Sequence, residues 1–234
     1  MKMLLLDLCG AGGTLALADD GREPAVFAQS ELASRSAAAT LLPAILALLK
    51  QATLSVKELD AIAIVHGPGS FTGVRIGVSA AKGLSEGAGV PVIAVSRLAV
   101  LAGMCTGAQG RVYAALDAGR GEFYVRASEP ASQRVSGSAS EAMLTREELA
   151  ALLAEAPGTV CVCEAKVGEA LAEFAPVMVA EPAAGDAYAL TAAEFAAARF
   201  ADVAALDANY LRRADAEMLE KQRAAMAARR AEAG

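Results

Sequence analysis

A glycine-rich segment in the first half of the chain has the residue types of an anion-binding loop. The apolar run over 61–65 predicts a buried strand, and Gly67-Pro68-Gly69 allows a sharp turn after it. Ser70 or Thr72 can cap a helix predicted over 74–84, whose N-terminal N–H groups could bind an anion. A tight turn beneath a closely packed helix would use the same residues, so both interpretations stay open. The loop motif is Gly67, Pro68, Gly69, Ser70, Phe71 and Thr72.

Two common phosphate-binding motifs do not match this loop. A P-loop has Lys followed by Ser or Thr directly after its last glycine, whereas Val74-Arg75 follows Gly73 here. The dinucleotide fingerprint has the spacing G-x-G-x-x-G, and Gly67, Gly69 and Gly73 are spaced one residue too wide. The loop is therefore neither of these two sites.

Histidine and cysteine give little support to metal, redox or nucleophilic chemistry. His66 is the only histidine, and a single histidine at a strand end is more often a hydrogen-bonded structural residue than a ligand. Cys161 and Cys163 share one face of a predicted strand, and the four cysteines match neither a disulfide framework nor a zinc knuckle. Ser70 lacks the G-x-S-x-G elbow of a hydrolase. We expect no metal site.

Composition argues against direct binding of nucleic acid or membrane. The formal net charge is -6 and the pI is near 5.0, whereas phosphate binding needs a basic surface. The N-terminal apolar run is cut short by Asp7, so it is not a signal peptide, and no apolar run is long enough to cross a bilayer. A cytoplasmic protein without membrane contact is expected.

Two predicted helices carry more packing surface than one sheet can cover. Six leucine and isoleucine side chains cover more than half the circumference of the helix over 37–50. Small residues recur every three or four positions along the helix after the glycine loop, which allows close approach of another helix. Packing within the chain is the simpler interpretation, and an interface is the other. The candidate partner-binding residues are Leu41, Leu42, Ile45, Leu49, Gly73, Arg75, Gly77 and Ala81.

A weak internal repeat indicates two related lobes. Leu6-Asp7, then glycines and an apolar strand, corresponds to Leu116-Asp117, then glycines and another strand. The predicted division is an α/β lobe over 1–106, a smaller α/β lobe over 107–213 and a charged, alanine-rich tail over 214–234. Residues 128–142 are predicted as a surface excursion.

The run from Gly67 to Gly77, continued by Ala81-Lys82-Gly83-Leu84, resembles the TsaB (YeaZ) family of tRNA threonylcarbamoyladenosine biosynthesis. The resemblance implies a two-lobed α/β fold of the actin-like ATPase (ASKHA) class, with duplicated βββαβα-type lobes and a reduced second lobe. It also implies a non-catalytic subunit that binds and activates a TsaD-type transferase together with a TsaE-type ATPase. The complex would use ATP and contact tRNA, this chain alone would bind no cofactor, and the isolated chain would form a homodimer.

The superfamily resemblance also suggests a vestigial nucleotide site at Asp7, Asp117 and Arg120. Leu8-Cys9 stands where family members usually carry Thr-Ser, and Gly119 stands where an arginine is common. These departures disfavour a complete ATP site. The alternative function is a stand-alone ATP-dependent small-molecule kinase or ATPase that uses Asp7 and Asp117.

Overall fold

The computed structural model describes residues 1–32, 37–108, 110–128 and 140–211. These residues form ten β-strands, six α-helices and three short 3-10 turns. The predicted tail over 214–234 and most of the predicted surface excursion lie outside the described residues.

The first sheet has five strands in the order β3-β2-β1-β4-β5. The strands are β1 (Lys2–Asp7), β2 (Gly13–Asp19), β3 (Val26–Leu32), β4 (Ala61–Val65) and β5 (Val92–Val95). The first three form an antiparallel meander, whereas β1, β4 and β5 run parallel. Because parallel strands end at the same edge, Asp7, Val65 and Val95 bring their following loops together there.

The second sheet repeats this topology, with the order β10-β9-β6-β7-β8. Its strands are β6 (Arg111–Gly119), β7 (Glu122–Ser128), β8 (Glu141–Thr145), β9 (Gly158–Val162) and β10 (Val177–Met178). Strands β6 to β8 form the matching antiparallel meander, and β6, β9 and β10 run parallel. Each half is therefore a βββαβα unit, as the family resemblance implied.

The helices differ in length between the two halves. They are α1 (Ala37–Gln51), α2 (Phe71–Ala88), α3 (Arg97–Met104), α4 (Arg146–Glu155), α5 (Ala165–Ala170) and α6 (Tyr188–Ala196). In the first half α1 and α2 have 15 and 18 residues, whereas their counterparts α4 and α5 have 10 and 6. The predicted reduction of the second lobe thus lies in its helices, since its sheet keeps five strands.

Both faces of the first sheet are covered, because every residue of β4 is buried. Helices α1 and α2 pack beside each other on this sheet, and α6 returns from the end of the chain to contact β5. Helix α3 instead packs against β6, β7 and β9 of the second sheet. Among the described helices, none combines the length and apolarity that a membrane span requires.

The structure differs from the sequence-based prediction at two elements of the second half. Strand β8 begins at Glu141, inside the segment predicted as a surface excursion, and α5 was not predicted. Polar and charged residues in these segments hide the short apolar pattern. Helix α4 begins with a capping box, in which the Thr145 hydroxyl accepts from the Glu148 N–H at 3.2 Å.

Candidate functional site

Backbone groups of the glycine loop form hydrogen bonds within the protein. The Ser70 N–H donates to the Cys9 carbonyl at 2.8 Å, and the Ser70 hydroxyl accepts from the Gly73 N–H at 3.2 Å. The Gly67 carbonyl accepts from the Arg97 N–H at 2.7 Å. These bonds join the loop to β1 and α3 and favour the tight-turn interpretation over an anion-binding loop.

The small residues of α2 pack inside the chain, which corrects their assignment to partner binding. A Cβ atom on Gly73 would overlap the Leu8 carbonyl oxygen, and one on Gly77 would lie 3.0 Å from the Ile64 Cδ1 atom. Ala81 is fully buried. Gly73, Gly77 and Ala81 therefore let α2 approach the sheet closely, and their side of the helix is not available to another protein.

A second correction concerns α1. Leu41, Ile45 and Leu49, proposed from the sequence as partner-binding residues, are at most 2% exposed and belong to the core. They repeat every four residues and so occupy the side that faces the sheet. On the adjoining flank of the helix, Leu42 is 49% exposed and Leu46 is 60% exposed. Leu42 thus remains a surface candidate, and Leu46 was missed although it lies in the same apolar run.

The N-terminal end of α2 carries an exposed cluster of one cation and two aromatic rings. The Arg75 guanidinium lies 3.7 Å from the centre of the Phe71 ring and 5.5 Å from that of Tyr210. The Arg75 Nε–H donates to the Tyr210 hydroxyl at 2.5 Å. Phe71 is 59% exposed. The exposed residues Leu42, Leu46, Phe71 and Arg75 of the two neighbouring helices are called the helix-pair surface below.

Residues 199–211, called the C-terminal strap below, lie against α2 and the glycine loop. The Lys82 ammonium donates to the Ala204 and Leu206 carbonyls, both at 3.1 Å. The Asn209 N–H donates to the His66 carbonyl at 2.7 Å, and the His66 Nδ1 atom lies 3.3 Å from the Asp207 carbonyl oxygen. The strap thus gives His66 a structural role. A groove of about 420 Å³ between helix and strap is lined by Arg75, Val78, Ser79, Lys82, Ala204, Ala205, Leu206 and Asp207.

Asp7 is a buried carboxyl at the carboxyl end of β1. It is 2% exposed, and its Oδ1 atom accepts from the Cys9 N–H at 2.8 Å. Its Oδ2 atom has no hydrogen-bond partner among the described residues. Burial raises the pKa of Asp7, against the lowering effect of the Arg97 charge and the Cys9 hydrogen bonds.

Arg97 and Glu181 fill the space next to Asp7. Arg97 is 5% exposed and donates to the Cys9 carbonyl at 3.1 Å and to Glu181 Oε1 at 2.8 Å. The same carboxylate oxygen lies over Gly10, where a Cβ atom would overlap it. In this arrangement the first hairpin does not fit a nucleotide phosphate, because a carboxylate already occupies the position beside it. The sequence analysis did not single out Arg97 or Glu181. A signal for Arg97 was present, since it is a cation at the start of the apolar helix α3.

The second acid of the predicted nucleotide site is bound to its own half of the molecule. Asp117 Oδ2 lies 2.7 Å from the Lys166 ammonium, and Oδ1 accepts from the Gly119 N–H at 3.1 Å. The Asp117 N–H donates to Glu164 Oε2 at 2.7 Å. Arg120 occupies the turn after β6 with a φ of 60°. The structure therefore gives Asp117 a local ion pair.

The thiols do not form a reactive or metal-binding group. Burial raises the pKa of Cys161 to about 12 and that of Cys163 to about 11, so both stay protonated at neutral pH. Burial also raises the pKa of Cys9. Within the described part of the chain, no group of three or more histidine, cysteine or acidic residues is arranged to hold a metal ion.

Comparison with known proteins places the chain in a family. The family model described as "TsaD: tRNA N6-adenosine threonylcarbamoyltransferase" matches residues 27–231. The TsaB biosynthesis protein of Escherichia coli is 40% identical over 126 residues, which are 53% of each chain. A threonylcarbamoyltransferase of Dinoroseobacter shibae is 46% identical over 69 residues, 30% of this chain and 19% of that protein. The chain spans about half the length of the curated TsaB relatives from Escherichia coli and Haemophilus influenzae.

A solved structure matches over nearly its full length. YeaZ from Pseudomonas aeruginosa superposes with a TM-score of 0.73 and 30% identity, covering 90% of this chain and 99% of that one. This match, together with the two βββαβα units, confirms the predicted actin-like α/β fold class. The chain belongs to the TsaB (YeaZ) family, within the wider protein family that the TsaD model describes.

Proposed function

We propose that this chain is a non-catalytic subunit in the synthesis of threonylcarbamoyladenosine in tRNA, where it binds and activates a TsaD-type transferase together with a TsaE-type ATPase. The observation that carries the proposal is the helix-pair surface. Leu42, Leu46 and Phe71 are each about half exposed or more, although other apolar residues of the same helices, such as Ile45 and Val74, are buried. A partner that covers them would remove apolar area from water, at roughly 25 cal/mol per Å².

The surroundings of Asp7 and Asp117 support an accessory role over a catalytic one. Asp7 faces a buried arginine whose charge is shared with Glu181, and Asp117 is paired with Lys166. These cationic neighbours would compete with a magnesium ion for both carboxylates. The contacts of Asp7 and Asp117 described above do not favour the alternative of a stand-alone ATP-dependent kinase or ATPase. Calorimetry with Mg-ATP tests that alternative directly, and saturable micromolar binding would support it.

Contact with tRNA is proposed to occur through the complex. The net charge of -6 works against binding of a polyanion by this chain alone, because phosphate contacts need lysine and arginine. The partner would then supply most of the basic surface. ATP consumption would likewise belong to the assembled complex.

Reconstitution of tRNA modification tests the proposal. Purified TsaD-type and TsaE-type proteins, tRNA and the small-molecule substrates are combined with and without this chain, and modified nucleoside is measured. We expect modification only when all three proteins are present, and none with this chain alone. Full activity in the absence of this chain would contradict the proposed role.

A further inference from the structure

The end of the C-terminal strap is bonded to both halves of the molecule. On the first half, the Asn209 N–H donates to the His66 carbonyl at 2.7 Å, and His66 directly follows β4. On the second half, the Asn209 side-chain Nδ2–H donates to Glu141 Oε2 at 2.7 Å, and Glu141 is the first residue of β8. One strap residue thus bridges segments that belong to different sheets.

The Glu141 carboxylate that binds Asn209 is itself held in place by the second half. Its other oxygen, Oε1, accepts from Arg126 Nη1 at 2.7 Å, and Glu141 and Arg126 are paired across β8 and β7. The Glu141 side chain is 10% exposed and that of Arg126 is 22% exposed. Because the acceptor is charged and largely shielded from water, its bond to Asn209 is stronger than a bond between two neutral, exposed groups.

Tyr210, the residue after Asn209, borders the helix-pair surface. It is 42% exposed, its ring centre lies 6.0 Å from that of Phe71, and its hydroxyl accepts from the Arg75 Nε–H at 2.5 Å. A long arginine side chain on an exposed helix face ordinarily samples many rotamers. The bond to Tyr210 restricts Arg75, and this lowers the entropy that is lost when a partner binds there.

The bond between Asn209 and Glu141 restrains Tyr210, because the two strap residues are neighbours in the chain. Consecutive Cα atoms are about 3.8 Å apart, so a displacement of Asn209 moves the Tyr210 ring relative to α2. Lys82 bonds the strap at the carbonyls of residues 204 and 206, which precede this place. Loss of the Glu141 carboxylate would leave the half-buried Asn209 amide without this acceptor and allow the end of the strap to move.

We propose that Glu141 and Asn209 are positioning residues for partner binding, because they tie Tyr210 to the second half of the molecule. Tyr210 in turn orders Arg75 on the helix-pair surface, to which neither positioning residue belongs. That this surface binds a TsaD-type transferase rests on the function proposed above. The order of Arg75, in contrast, is a property of the chain alone and can be measured without a partner.

NMR of the full chain tests the positioning of Arg75. The exchange of its Nε–H proton with water is measured at constant pH in wild type, Glu141→Ala, Asn209→Ala and the double variant, and Tyr210→Phe gives the rate without the hydrogen bond. We expect exchange at least threefold faster in each single variant than in wild type. Because Glu141 and Asn209 act through the same hydrogen bond, the double variant should exchange no faster than the single variants.

Calorimetry with a purified TsaD-type transferase tests the consequence for binding. Glu141→Ala and Asn209→Ala should each weaken binding at least threefold. The matched control is Glu173→Ala, which removes a carboxylate from an ion pair with Arg146 in the same half and should change neither the exchange nor the affinity. Asn209→Ala leaves the pair of Arg126 and Glu141 intact, so it carries the test if Glu141→Ala does not fold.

The two measurements separate this inference from the proposed function. Equal Arg75 exchange in wild type and the folded variants would overturn the inference, as would wild-type affinity for the transferase in variants whose exchange is accelerated. If the wild type itself does not bind the transferase, the proposed function is contradicted. The Arg75 exchange rates then decide by themselves whether Glu141 and Asn209 position the helix-pair surface.

Discussion

Two glycines of α2 differ in a way that single substitutions can measure. Gly73→Ala places a Cβ against the Leu8 carbonyl and should destabilise the protein by about 1–3 kcal/mol, because backbone has to move. Gly83 has no atom within 4 Å of a Cβ position, so Gly83→Ala should stabilise by about 0.5–1 kcal/mol through helix propensity. Urea unfolding of the wild type and the two variants measures the change in unfolding free energy for each substitution. Equal effects of the two substitutions would show that the close approach of α2 and β1 is not a constraint.

His66 should titrate below its ordinary range. Its pKa is lowered by burial, against the raising effects of the Asp207 carbonyl and the Glu141 charge. The unfolded chain therefore binds a proton more readily than the folded one. As a result, the contribution of His66 to the free energy of unfolding is full above about pH 6.5, and it is lost as the pH falls through the pKa of the folded state.

As the only histidine, His66 gives a single imidazole signal in a proton NMR pH titration, and we expect its midpoint below 6.5. Substitution His66→Gln should flatten the decline of unfolding free energy between neutral pH and pH 5. A midpoint at or above the ordinary value would contradict burial of the ring beneath the C-terminal strap.

At the scale of elements, Lys82 should hold the C-terminal strap on α2. Its ammonium bonds two strap carbonyls, so Lys82→Met should leave these carbonyls unpaired and raise the population of the detached strap. Amide hydrogen exchange reports this at Asn209, whose N–H is bonded to the His66 carbonyl. Exchange there should accelerate several-fold, whereas Lys57→Met on an exposed short turn should leave it unchanged. No acceleration in the Lys82 variant would mean that other contacts fix the strap.

Hydrophobic patterns predicted α1, β4 and α2 of the first half, because each of these segments carries a simple apolar pattern. They did not decide which side of α1 faces the sheet. Leucine and isoleucine occupy both sides of that helix, and only packing distinguishes Ile45 from Leu46. Glu181 could not be predicted, since its contact with Arg97 joins residues 84 positions apart without a local pattern.

For the whole molecule, the helix-pair surface should drive self-association when no partner is present. Leu46 is 60% exposed, and Leu46→Arg would place a charge in any interface that buries this position. Sedimentation should show a dimer of the wild type at micromolar concentration and a monomer of the variant. A wild-type monomer at that concentration, or an unchanged dimer of the Leu46 variant, would exclude this surface as the site of self-association.

Binding of a purified TsaD-type transferase to this chain tests the proposed role most directly. Leu42→Arg is compared with Met178→Arg, because Leu42 on α1 is 49% exposed and Met178 on β10 is 50% exposed. Calorimetry should show at least tenfold weaker binding for Leu42→Arg, with wild-type affinity for Met178→Arg and an unchanged unfolding midpoint for both. Wild-type affinity of the Leu42 variant, or equal losses in the two variants, would contradict partner binding through the helix-pair surface.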